Sequence, residues 1–327
     1  MKAKKLLAIL ALTLTATTLA ACGDQTVSFG HYWFKDSTVA EKNFYEQATY
    51  AVTSTSDASS YCNYSVAYSG TFTTTFKYDS AAQIYTFKTK LDTTAIFTLG
   101  DTKSAPLVDT AESTVTFNSD LRPIESTKTM ICHTPLSGNY NNVNECYVVV
   151  DYSYTTTYGK DNKIEGYCKI ENSKGKVSET ILNDTFDFVK DYTFIDNEQL
   201  LVAVRAFASD TSSATLASYG AFTENTQKVK FTFTNAKDKA TESFNYALTD
   251  VDGTVNTAPK KILCRTASVS LDQENPGATQ TIKFAKAENA STNTYRNLIL
   301  EITTPLSYSM GKVYYKLTSV SYKNPNA

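Results

Sequence analysis

From Tyr64 to Tyr78 the chain alternates without a break. Tyr64, Val66, Tyr68, Gly70, Phe72, Thr74, Phe76 and Tyr78 fall on one side, and Ser65, Ala67, Ser69, Thr71, Thr73, Thr75 and Lys77 on the other. Successive side chains of a strand point to opposite faces, so a period of two held this long predicts a strand that is apolar on one face and wet on the other. After a turn at Asp79 to Gln83 the pattern resumes with Tyr85, Phe87, Leu91, Ala95, Phe97 and Leu99 against Thr86, Lys88, Lys90, Asp92, Thr94 and Thr98. The two runs read as one long hairpin. At about 3.4 Å per residue each arm approaches roughly 50 Å, well beyond an ordinary strand, so the arms must curl, with Gly70 as a candidate hinge.

The same signature recurs in Cys146, Val148, Val150, Tyr152, Tyr154 and Tyr158, set against Asp151, Ser153, Thr155 and Thr157. Turn formers punctuate further expected strands near 163–171, 176–189, 228–234, 242–249, 261–271, 279–286, 296–303 and 312–322. Composition agrees, because 22 Tyr and 17 Phe stand beside only 12 Gly and 7 Pro, and aromatic and β-branched residues suit pleated surfaces. One segment departs from the pattern. Asp196 with Gln199 forms a capping-box signature ahead of Leu200, Leu201, Val204, Phe207 and Ala208 at helical spacing, which predicts a helix over 197–208. A weaker helical pattern lies at 37–43. The fold class expected is mainly β: long curved antiparallel sheets, half-barrel or sandwich-like, with one short internal helix. The polar stretch 209–214 divides a larger β half, 44–208, from a smaller one, 209–327, packed with it.

Motifs for chemistry are sparse. His31 and His133 are the two histidines, and neither has a second ligand at metal spacing, so neither metal binding nor histidine-based catalysis is expected. Asp250-Val251-Asp252-Gly253 resembles the start of a calcium loop, yet Lys261 falls where the bidentate acid belongs, and a hairpin turn explains it better. Asp210-Thr211-Ser212 lacks the second triplet of an aspartic peptidase. No nucleophile elbow, phosphate loop or dinucleotide fingerprint occurs. The formal charge is −2, which excludes a basic nucleic-acid footprint. No enzyme and no cofactor is therefore expected. Cys132 and Cys146 bracket a turn-rich loop, and pairing of 124–132 with 146–156 would bring the thiols face to face; a disulfide and two free thiols both stay open.

The amino-terminal end carries the most specific motif. Lys2, Lys4 and Lys5 precede the apolar run Leu6 to Leu14, too short to span a bilayer as a helix, and Leu19-Ala20-Ala21-Cys22 follows. These four residues resemble the lipobox of bacterial lipoprotein precursors. The resemblance implies a signal peptide at 1–21, lipidation of Cys22, a lipidated tether over 22–43, and a cell-membrane location on the extracytoplasmic face. In outline, a lipobox followed by long one-sided strands and a sheltered helix also resembles the half-barrel lipid and lipoprotein carriers of the LolA, LolB and LprG kind. That likeness is architectural and transfers no site residue; it implies a concave sheet face that holds acyl chains.

The expected function is therefore a non-enzymatic lipoprotein binding an apolar or amphiphilic ligand in its sheet concavity. Its ligand-facing candidates are Tyr64, Tyr68, Phe72, Phe76, Tyr152, Tyr154 and Arg205, the last because a guanidinium suits carboxylate or phosphate. The alternative is an envelope scaffold or adhesion module with a filled core and a protein or glycan partner on its outer face.

Overall fold

The computed structural model describes residues 44–325 apart from 160, 162, 186–192, 208–210, 222–224, 235–240, 272–278 and 287–296. The lipobox, Cys22, His31 and the helical pattern at 37–43 lie outside the described residues. The first nine strands are β1 (Tyr45–Ser56), β2 (Ser65–Asp79), β3 (Ile84–Leu99), β4 (Thr102–Lys103), β5 (Leu107–Phe117), β6 (Pro123–Pro135), β7 (Tyr147–Tyr158), β8 (Lys163–Asn172) and β9 (Val177–Thr185). After β10 (Phe194–Asp196) come a 3₁₀ turn, Asn197–Gln199, and helix α1 (Leu200–Ala206). The chain ends in β11 (Ser213–Gly220), β12 (Asn225–Thr234), β13 (Thr241–Phe244), β14 (Ala247–Thr249), β15 (Val255–Asn256), β16 (Lys260–Leu271), β17 (Gln280–Ala285), β18 (Ile299–Pro305) and β19 (Gly311–Ser321).

These strands form one large curved antiparallel sheet. From one margin the order is β9, β8, β7, β6, β5, β3, β2 and β1. It continues through β19, β18, β17, β16, β12, β11 and β10. Two short contacts, β10 with β11 and β14 with β19, are parallel. The pairing of β1 with both β2 and β19 ties the last strand to the first, so one sheet runs through the residues on both sides of 209–214. One apolar cluster likewise spans both halves. The sheet curls until its β10–β11 margin meets the inner face of β7: the Tyr158 ring lies 5.8 Å from Phe194 and 6.3 Å from Tyr219.

The predicted hairpin is present as β2 and β3, in register from Ser65 opposite Thr98 to Asp79 opposite Ile84. Gly70, at φ +154°, sits where an added Cβ would come within 2.2 Å of the Asp92 carbonyl oxygen. Only glycine lets the two backbones approach so closely here. Asp250 to Thr254 close the β14–β15 hairpin, with Thr254 N–H donating to Asp252 Oδ1 at 2.8 Å.

Phe72 is buried between the Tyr50 and Tyr315 rings, at 5.8 and 5.4 Å, whereas Thr73 points to the outer face. Phe72→Ala should cost about 3–5 kcal/mol in urea unfolding, while Thr73→Ala should stay within about 0.5 kcal/mol. Equal losses at the two positions would contradict the alternation.

Candidate functional site

The concavity is occupied by the helical segment. All seven residues of α1 are buried, which fits a sequence apolar on every side but for Arg205. The capping box forms as expected: Asp196 Oδ1 accepts from Glu198 N–H at 2.7 Å, and Gln199 Oε1 accepts from Asp196 N–H at 2.8 Å. The predicted single helix is instead a 3₁₀ turn leading into α1, because Asp196 caps the 3₁₀ turn and Phe207 is already extended.

Polar bonds fasten this segment to the sheet floor. Lys128 Nζ on β6 donates to Glu198 Oε1 at 2.8 Å, with both side chains 4% exposed. Arg205 makes a two-pronged pair with Glu46 on β1, at 2.7 and 3.0 Å. Gln199 Nε2 donates to the Leu121 carbonyl at 3.0 Å, and Asn297 Nδ2 donates to the Arg205 carbonyl at 2.9 Å. Tyr158 Oη donates to Asp196 Oδ2. Burial, and then the charge of Glu198, push the Asp196 carboxyl up to about 7, against the opposing pull of hydrogen bonds from Tyr158, the Glu198 N–H and Ser126.

The ligand-facing candidates share this interior, but as packed core. Tyr64 donates to the Leu136 carbonyl at 2.6 Å and packs on Phe97 and Tyr140. Phe76 is surrounded by Phe44, Tyr85, Phe87 and Phe117. Tyr152 and Tyr154 meet edge to face at 5.6 Å, and Tyr154 Oη shares a 3.1 Å hydrogen bond with Ser126. Arg205 faces Glu46 and not a ligand anion. Tyr68 differs: its hydroxyl is buried and has no hydrogen-bond partner among the described residues.

The Cys132–Cys146 bridge does not form. Register sets Cys132 opposite Val150 and Pro135 opposite Tyr147, so Cys146 lies beside Leu136, four residues away from Cys132. The thiol that adds to the electrostatics of Cys146 is Cys62, and burial first, then Cys62, push Cys146 up to about 11. Cys132 is pushed up to about 12 by burial. Such thiols are poor nucleophiles. Among the described residues no cysteine is in a disulfide, and no cluster of three or more His, Cys, Asp or Glu could hold a metal. His133 is bound to a carboxylate that the sequence reading passed over, with Nδ1 2.6 Å and its N–H nitrogen 2.9 Å from Asp109 Oδ1. Glu46, Asp109, Lys128 and Glu198 are among the buried polar residues, and no sequence motif marked them. The signal for Lys128 was its inward parity, two residues from Ser126 and from Met130.

No family model matches the chain, and no curated protein does. Among solved structures, it is similar to a beta-barrel-like protein of a domain of unknown function, DUF1849, from Brucella abortus. The likeness covers 86% of this chain and 98% of that one, at 13% identity and a TM-score of 0.46. No activity or partner transfers at that level.

Two measurements check the interior. Arg205→Met should cost about 3–5 kcal/mol by leaving Glu46 buried without its counter-charge, and Glu46→Leu added to it should restore most of that loss in urea unfolding. The fold favours protonated Asp196, so its contribution is full below the ordinary carboxylate value of 3.8 and is lost as pH rises through about 7. Asp196→Asn, whose amide can serve both contacts, should flatten the fall in melting temperature between pH 5 and pH 8. The difference approaches about 4 kcal/mol at most.

Proposed function

We propose that this protein is a non-enzymatic, lipid-anchored module on the extracytoplasmic face of a bacterial membrane, held through Cys22, and that its β body works through its outer surface. The observation behind this reading is that the seven residues expected to line a ligand trough are 1–6% exposed, buried within the protein's own core. An acyl chain in the concavity would need the volume that α1 and the aromatic rings fill. The buried pairs Lys128–Glu198 and Arg205–Glu46 are satisfied within the protein, which serves fixing a helix in place and not recognising a headgroup.

The outer face suits a polar partner, a protein or a glycan. In register across it run Thr49, Thr73, Lys90, Glu112, Thr129, Ser153 and Lys169, and beside them Gln47, Thr75, Lys88, Thr114, Thr127, Thr155 and Tyr167. Lys90 bridges Asp92 and Glu112 at 3.4 and 3.3 Å, so the surface offers hydroxyls and balanced charge.

Residues 23–327, purified from cells and extracted for mass spectrometry, should bring down no stoichiometric lipid. One acyl lipid per chain would overturn the outer-surface reading in favour of a carrier. Cys22→Ala should abolish labelling by a fatty-acid analogue and move the protein out of the membrane fraction; unchanged labelling would remove the anchor.

A further inference from the structure

We infer that the concave face contains a buried site for a monovalent cation, formed by Tyr68, Thr93 and Asp109. The three side chains are 2%, 3% and 1% exposed. Thr93 and Asp109 are direct cross-strand partners between β3 and β5, which places their Cβ atoms about 5 Å apart on one face. Tyr68 stands diagonally across on β2, opposite Ala95, while Gly70, opposite Thr93, contributes no side chain to the layer.

Each side chain brings one oxygen without a hydrogen-bond partner among the described residues: Tyr68 Oη, Thr93 Oγ1 and Asp109 Oδ2. Asp109 is oriented by its other oxygen, because Oδ1 takes both the N–H of His133 and an approach from His133 Nδ1. That leaves Oδ2 for a separate partner. The nearby Cys132 thiol is already engaged with Thr134 Oγ1 at 3.4 Å. Burial, followed by the charge of Asp109, raises the Tyr68 phenol well above its ordinary value, so the phenol and the carboxylate act on one another and the phenol stays neutral.

A buried, underused carboxylate oxygen costs more than a buried hydroxyl, and a cation relieves that cost best. The donors are all hard oxygens, which exclude soft metals. One carboxylate supplies one negative charge. A divalent ion would leave a surplus positive charge in the interior. Sodium, potassium and ammonium fit the charge.

The test compares melting temperatures of residues 23–327 in sodium, potassium, ammonium and choline chloride at equal ionic strength, with Tyr68→Phe and Thr93→Val alongside. At least one small cation should raise the melting temperature of the unaltered protein over choline by a few degrees, saturating with concentration. Tyr68→Phe keeps the ring, and its circular dichroism should be unchanged while the cation response falls. In crystals grown with rubidium, an anomalous peak should lie beside Asp109 Oδ2. Identical melting in all four salts, or an undiminished response in Tyr68→Phe, would show that these oxygens hold water only and would overturn the site. Should Thr93→Val fail to fold, Tyr68→Phe alone decides.

Discussion

The structure depends on how a seven-residue helix is held inside a curved sheet. A helix this short has no stability of its own, because nucleation costs more than its few hydrogen bonds return. Burial on all sides and three polar fastenings keep it in place: Asp196 to Tyr158, Glu198 to Lys128 and Arg205 to Glu46. These reach β7, β6 and β1. The neighbours β6 and β7 and, four places further along the sheet order, β1 are thereby tied to one central element, and the sheet curls around it. Buried ion pairs seldom add net stability over apolar substitutes. Here they serve placement, since an apolar helix on an aromatic floor could otherwise slide or rotate, whereas paired charges accept one position.

That polar interior also explains what the sequence showed and what it concealed. The β2–β3 hairpin was legible because its inner rows are aromatic and aliphatic almost throughout. The helical turn was legible because Asp196 and Gln199 form a capping box ahead of an apolar run. Strands β1, β5 and β11 were not foreseen. In β1 the inward positions include Glu46 and Ala48, in β5 Asp109 and Ser113, and in β11 Ser218. Each breaks the contrast between faces on which period-two reading relies. Two of the concealed strands thus carry the side chains that build the interior: Glu46 anchors α1, and Asp109 anchors His133. Residues that interrupt an amphipathic pattern mark where the fold has put polar work inside.

Register corrected the cysteine argument. The segments around Cys132 and Cys146 do pair, so the topology inferred from the turn-rich loop was sound. The ladder runs on to Pro135 opposite Tyr147, however, so the hairpin closes beyond Cys132. Cys146 falls at its end beside Leu136. A disulfide needs Cα atoms within about 7 Å, and a register displaced by four residues defeats it even when both side chains face inward. Spacing along a chain predicts pairing of strands more securely than pairing of atoms.

The two faces of the sheet are under different constraints. On the inner face most positions are committed: rings pack on rings, charges meet charges, and Gly70 sets how closely β2 and β3 approach. On the outer face, side chains touch mainly their cross-strand neighbours and water, so a threonine can change without disturbing the core. A surface of that kind can vary while the curved sheet beneath it stays the same. The same division explains how a buried cation fits the fold: it would complete the inner face, where an unmatched oxygen is costly, and leave the outer face untouched.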